Sequence, residues 1–219
     1  DDPESIVKCT NKVYLAELLE RHRIAMPSTL VVHRDNIHLI LERLGLPCIL
    51  KQPDSSFSQG VLKVESEENL RIEVERLLER SDLIIAQAFT PTEFDWRVGI
   101  FDRQPLYACK YHMAARHWQI TRWTGEQNGE EGKVETLPVE LAPRQVVKTA
   151  LRAANLIGEG LDRVGLQQFG NTCQVIEIND NPNIDAGYED RVLKEQLYTR
   201  ITSVLLRRVE RRKEAAGHW

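Results

Sequence analysis

Glu177 and Asn179 lie two residues apart in Val175-Ile176-Glu177-Ile178-Asn179-Asp180-Asn181-Pro182-Asn183-Ile184-Asp185. Side chains alternate along a β-strand, so this carboxylate and this amide oxygen share one face. Oxygen donors at that spacing suit a hard cation; Mg²⁺ takes one or two such ligands and fills its shell with water and substrate phosphates. The same residues also describe an apolar strand running into an Asx-rich turn, because Asn, Asp and Pro are turn formers. Both readings stay open on this stretch alone.

Three further clusters carry polar chemistry, each beside a plainer alternative. In Lys51-Gln52-Pro53-Asp54-Ser55-Ser56-Phe57-Ser58-Gln59-Gly60-Val61 an apolar strand ends in a lysine, a small polar loop follows, and Gly60 opens the next strand. Ser55, Ser56, Ser58 and Gln59 could turn hydroxyls and backbone N–H groups onto phosphate, with Lys51 as a point charge; an ordinary hairpin loop is the alternative. No Walker A pattern is present. In Ile84-Ile85-Ala86-Gln87-Ala88-Phe89 a buried strand could offer backbone groups to a planar base edge and Phe89 to its ring, or could simply be core. In Glu93-Phe94-Asp95-Trp96-Arg97, Asp95 and Arg97 alternate onto one face. Asp95 could accept from ribose hydroxyls and Arg97 could clamp a carboxylate or phosphate, or the two could form a surface pair. Lys110 stands inside an apolar strand, where a charge needs a partner or a cleft. The six histidines show no metal spacing.

The elements that must position these residues follow from periodicity. Helices are expected over 11–22, 35–44, 67–78, after Pro143, and over 189–213 with Leu193, Leu197, Ile201, Val204 and Leu205 inward. Ser66 is a natural N-cap for the third of these, with Glu67 and Glu68 in its first turn. Strands are expected over 29–32, 47–51, 60–65, 82–88, 117–123, 161–168 and 173–179, plus a hairpin of 95–101 and 105–111 around Asp102-Arg103-Gln104. Residues 124–133 read as a polar, Gly-rich loop. The basic end of the last helix (Arg207, Arg208, Arg211, Arg212, Lys213) reads as a solvated face complementing the helix dipole. Helices separating antiparallel pairs argue for an α+β chain in two lobes.

Composition bounds the rest. The 219 residues are 42% hydrophobic and 28% charged, an ordinary globular balance, and the net charge of -4 offers no general field for nucleic acid or acidic lipid. No apolar run approaches the roughly 20 residues of a membrane helix. Four scattered cysteines without a CxxC pair read as buried thiols of a reducing, cytoplasmic protein. The opening Asp1-Asp2-Pro3-Glu4, without initiator Met, reads as part of something longer.

Taken in order, these clusters resemble the ATP-grasp superfamily, and within it the RimK-like glutamate-ligase and glutathione-synthetase branch. Asn11-Lys12 resembles the Asp-Lys that opens the ATP-grasp region, Lys51 the second nucleotide lysine, Ser55 to Val61 the phosphate loop, and Gln87-Ala88-Phe89 the adenine hinge. Asp95-x-Arg97 resembles the Asp-x-Arg element, and Glu177 to Pro182 the terminal Glu-x-Asn-x-x-Pro metal motif. The resemblance implies an ATP-grasp fold with the nucleotide between the sheets of two α+β lobes. It implies an N-terminal helix in 1–24, a smaller lobe over 25–87, a larger lobe over 88–214 and a tail at 215–219. It implies ATP and Mg²⁺ (with Mn²⁺ as a substitute), metal ligands Glu177 and Asn179, and catalytic roles for Arg97 and Lys110. The implied reaction is ligation of a carboxylate to an amine through an acylphosphate, on an amino acid, peptide or protein tail. A preceding domain of the full-length protein would assist, and self-association is left open. Three departures favour an alternative, a nucleotide-binding module with weakened or lost ligase activity. Gly165 stands where the family has a metal-binding Asp and Arg163 where Gly is usual, while Ala88 replaces the hinge acid. The family's basic substrate run is absent from 112–133.

Overall fold

The structure, a computed structural model, describes residues 2–54, 60–123 and 129–216. Two helices, α1 (Pro3–Thr10) and α2 (Lys12–Arg21), precede a four-stranded antiparallel sheet made of β1 (Thr29–Val32), β2 (Cys48–Lys51), β3 (Val61–Val64) and β4 (Ile84–Ala88), in the order β1-β4-β2-β3. Short α3 (Leu39–Arg43) and longer α4 (Glu67–Leu78) cover one face. Ser66 caps α4 by accepting from the Asn69 amide at 3.3 Å. Alternation divides the strands cleanly: Val32, Cys48, Leu50, Val64, Ile84 and Ala86 pack with Leu70, Val74 and Leu77 of α4. Ile49, Lys51, Lys63 and Gln87 therefore point the other way.

The second sheet has five antiparallel strands: β5 (Phe94–Phe101), β6 (Gln104–His112), β9 (Val134–Leu137), β10 (Leu161–Phe169) and β11 (Thr172–Asn179). Their order is β11-β10-β5-β6-β9. A small ribbon of β7 (Thr121–Trp123) and β8 (Gly129–Glu131) leaves the β6–β9 connection. The β5–β6 turn is a two-residue hairpin with Asp102 and Arg103 both at positive φ, the twist-compatible geometry. Trp96, Val98, Ile100, Val164, Leu166 and Val175 pack against α5 (Arg144–Ile157) and α2. The opposite face is shared: α6 (Glu195–Ala216) covers its far end through Leu197 and Val204 against Phe101, Tyr107 and Cys109. Its near end stays open toward the first sheet.

Five features depart from the sequence expectation. The span 1–24 holds two helices rather than one: α1 precedes the helix expected over 11–22, and Asp2 caps it with Pro3 in its first turn, the usual start signals. The last helix starts at Glu195 rather than 189, because Lys194 has φ 50, outside the helical region. Leu205 points to solvent, one residue round the helix from inward Val204. β8 falls inside the stretch read as loop, and β9 lies beyond it. The basic helix end is also more than a solvated face: Arg208 and Arg207 grip Asp102 of the hairpin at 3.0 and 3.3 Å.

Leu197, on the inward side of α6, is fully buried. Leu197→Ala is expected to lower unfolding stability by about 2–5 kcal/mol, the usual cost of a truncated core leucine. Urea titration followed by circular dichroism checks this; a loss under about 0.5 kcal/mol would mean that α6 is not part of the cooperative core.

Candidate functional site

The inner faces of the two sheets enclose a cleft of about 1130 Å³. The smaller sheet contributes Ile49, Lys51, Lys63 and Gln87; the larger contributes Asp95, Arg97, Arg163, Gln167, Glu177 and Asn179. Lys12, the first residue of α2, reaches the same space, and its amide donates to the Pro53 carbonyl at 3.1 Å. That bond ties the start of α2 to the loop after β2. Gln52 and Gly60 close the base of this loop (3.3 Å), with Gly60 at φ 72. Ser55, Ser56, Ser58 and Gln59 lie outside the described residues.

The floor is built around one ion pair. Arg97 on β5 and Glu177 on β11 are both directly opposite Gly165 on the strand between them. Glycine leaves the space over β10 empty, so the two side chains meet across it. A Cβ at position 165 would stand 2.9 Å from Glu177 Cγ, closer than side chains tolerate. Gly165 thus admits the ion pair. Arg97 holds the Glu177 carboxyl down to about 2; burial opposes this, and Arg163 and Lys51 assist. Burial works against the Arg97 charge, but Glu177 and Asp95 more than restore it, raising its pKa.

The other charges answer to the same pair. Burial pushes Asp95 up to about 6 against the pull of Arg97 and of hydrogen bonds from Gln167 and Thr92. Burial lowers Lys51 to about 8, with Glu177 opposing and Lys12 adding repulsion. Lys12 is also lowered by burial and partly restored by Glu177 and Asp54. Asn179 Oδ1 accepts the Asn181 amide at 3.0 Å, so the Asx turn exists as well as the cleft-facing amide. A carbonyl oxygen has two lone pairs, leaving one for a ligand.

The hinge takes a specific form. Gln87 Nε2 donates to Thr29 at 2.8 Å, and the Ala88 amide donates to the Ser28 carbonyl at 2.9 Å. A base edge docked here would not draw on that amide. The Phe89 ring meets Trp118 edge-on with centroids 5.9 Å apart, and the Lys63 ammonium stands 4.5 Å from the ring centre.

Lys110 does not join the site. Ile100 faces Pro105 but Gly99 faces Tyr107, so Leu106 is an inserted residue. This bulge reverses the parity of the rest of β6 and places Lys110 opposite Trp96, behind the sheet. There its ammonium lies 4.7 Å from the Phe94 ring and 5.2 Å from Trp96. Lys63, Arg163 and Trp118 line the cleft without having been picked out as site residues. Parity exposes the first two: Lys63 is opposite Ile49, and Arg163 is two residues from Gly165 on the same face. Asp162, on the other face, is only 1% exposed and does not line the cleft.

No family model matches the chain. The alpha-aminoadipate–LysW ligase LysX of Sulfurisphaera tokodaii is 26% identical over 165 residues, 72% of this chain and 54% of that protein. The D-alanine–D-alanine ligase of Phocaeicola vulgatus is 26% identical over 67% of this chain and 46% of its own. The chain therefore spans about half the length of the curated relatives it matches. The D-alanine–D-alanine ligase of Bacillus anthracis superposes with a TM-score of 0.73 at 18% identity, covering 95% of this chain and 71% of that one. The ATP-grasp ligase PsnB, solved with a precursor variant, Mg and ADP, superposes at 0.62 with 21% identity, over 86% of this chain and 55% of its own. The fold is the ATP-grasp fold. The cleft described above is the space between the two sheets of that ATP-grasp fold.

Because Arg97 depresses Glu177, the pair stabilises the fold above the unfolded carboxyl value of about 4.3, and this contribution fades as pH falls toward about 2. Nearly half of the Glu177 side chain is exposed to the cleft (48%), so water screens the pair and the stability gain is small. The titration itself is the sharper test. Arg97→Gln should move the Glu177 carboxyl up toward the ordinary carboxylate range, read by carbon-13 NMR. An unmoved value would rule out Arg97 as the cause.

Proposed function

We propose that this chain is the ATP-grasp part of an ATP-dependent carboxylate–amine ligase of the RimK-like branch, acting on an amino acid, peptide or protein tail through an acylphosphate. The observation that carries the reading is the convergence of Lys12, Lys51 and Arg97 on Glu177 and Asn179 across one cleft. In this reading the smaller lobe spans 25–87 and the larger 88–214. The base lies against Phe89 beside Gln87 and Ala88, and Asp95 takes the ribose. Lys12 and Lys51 neutralise phosphate charge, and Ser55, Ser56, Ser58, Gln59 and Gly60 are the phosphate-binding residues of this reading. Arg97 orients the acylphosphate oxygens, a role of positioning and electrostatics rather than covalent chemistry. Lys110 is left out because it stands behind the sheet. Cytoplasmic residence is part of the proposal and rests on four unpaired thiols, three of them buried.

The donor set fits a divalent cation of the Mg²⁺ type, with Mn²⁺ as its substitute. Glu177 stays ionised at neutral pH and Asn179 retains an oxygen lone pair. Among the described residues no group of three His, Cys, Asp or Glu could hold a metal alone, so phosphate and water must complete its shell. Such an ion supplies charge neutralisation at the phosphates.

A second reading, a nucleotide-binding module without ligation, is favoured by Gly165 opposite Glu177, where the family carries a second carboxylate. Calorimetry with Mg-ATP, followed by phosphate release with a panel of amino acids and peptides, separates the two. The ligase reading expects binding and acceptor-dependent release. Binding without release for any acceptor selects the module, and no binding sinks both. Lys51 adds a pH signature: it is charged below about 8 and neutral above, so nucleotide affinity should fall as pH rises through 8. Lys51→Arg should remove that dependence, because arginine stays charged; a pH profile identical in both proteins would exclude Lys51 from the phosphate site.

A further inference from the structure

We propose that Arg163 binds the nucleotide phosphates directly and stands as a fixed positive charge in place of a second divalent cation. This rests on the nucleotide reading of the cleft and goes beyond it. β10 places Arg163 directly opposite Asn179 on one side and Gly99 on the other, on the face that carries Glu177. Neither it nor its neighbour on that face, Gly165, is a cation ligand.

Arg163 is held ready for an anion. It lines the cleft, and its Nε is buried without a hydrogen-bond partner. Among the described residues it has no ion-pair partner within 4.0 Å. The nearby carboxylates are engaged elsewhere: Glu177 with Arg97, and fully buried Glu189 with the Tyr111 hydroxyl and the Asp185 amide. A buried Nε–H without an acceptor is costly unless something anionic arrives, and the planar guanidinium fork matches phosphate oxygens. The Tyr107 ring lies over Gly99, where a Cβ would come within 2.3 Å of it, and so walls Arg163 on the β5 side. Its charge is already felt at Glu177. Where the family pairs two carboxylates to hold cations, this chain has one carboxylate and a guanidinium. A divalent cation with its carboxylate carries the same net charge as one guanidinium, so the net charge beside the phosphates is conserved while the number of metal ions falls.

The test measures a nucleotide analogue and metal without turnover. Binding of AMPPNP to the 219-residue chain is titrated with excess EDTA and again with Mg²⁺, and bound Mn²⁺ is counted by EPR. The wild type should retain measurable metal-free binding and take up one Mn²⁺ per analogue. Arg163→Gln should weaken metal-free binding about tenfold or more, the loss of one charge-assisted contact. Arg163→Lys, which keeps the charge, should fall less, and it decides the matter if the Gln variant does not fold. Two Mn²⁺ per analogue in the wild type, or metal-free affinity unchanged in Arg163→Gln, would overturn the proposal while leaving the nucleotide site intact. Absence of any binding with Mg²⁺ would instead overturn the nucleotide reading and this proposal with it.

Discussion

The Arg97–Glu177 contact across Gly165 is the constraint on which the cleft depends. Strands lie about 4.8 Å apart, so side chains two strands away meet only if the strand between them is bare. Gly165 satisfies that condition, and the outcome is a guanidinium and a carboxylate held together on the floor of the cleft. The pair fixes the charge state of Glu177, restrains Asp95 and sustains the charge on Lys51. Arg97 does for Glu177 what a bound cation would do: it balances a carboxylate that points at another sheet.

The architecture follows from keeping that face open. Each sheet buries one face conventionally, against α4 in one case and against α5 and α2 in the other. The larger sheet then buries only half of its second face, under α6. The uncovered half meets the uncovered face of the smaller sheet, and polar side chains gather where alternation delivers them. Two bulges set which residues arrive. One inserts Leu106 and sends Lys110 to the core side; the other inserts Ile176 and lets Glu177 face the cleft while Val175 and Ile178 pack inward.

Much of this was legible in the sequence because period-2 patterning is a local signal. The strands around Lys51, Gln87, Arg97 and Glu177 lie where alternation put them, and Ser66 caps the helix as expected. What was not legible depends on register and packing. Lys110 was misplaced because a single inserted residue, invisible to patterning, reverses the face. The place of Gly165 between Arg97 and Glu177 is set by strand register, which patterning does not give. Arg163 was noticed as a departure, but its lack of a partner is a property of the folded cleft. Helix α1 is the exception, since its start signals, Asp2 and Pro3, are local and legible in the sequence.

A crystal structure of the chain with a non-hydrolysable ATP analogue and Mg²⁺ tests the central claim most directly. The account predicts the base against Phe89 and the triphosphate between Lys51 and the Glu177–Asn179 edge, with the Arg97–Glu177 contact loosened or redirected as the cation takes its place beside Glu177. A triphosphate bound away from these side chains, or an analogue that leaves the cleft untouched, would contradict it.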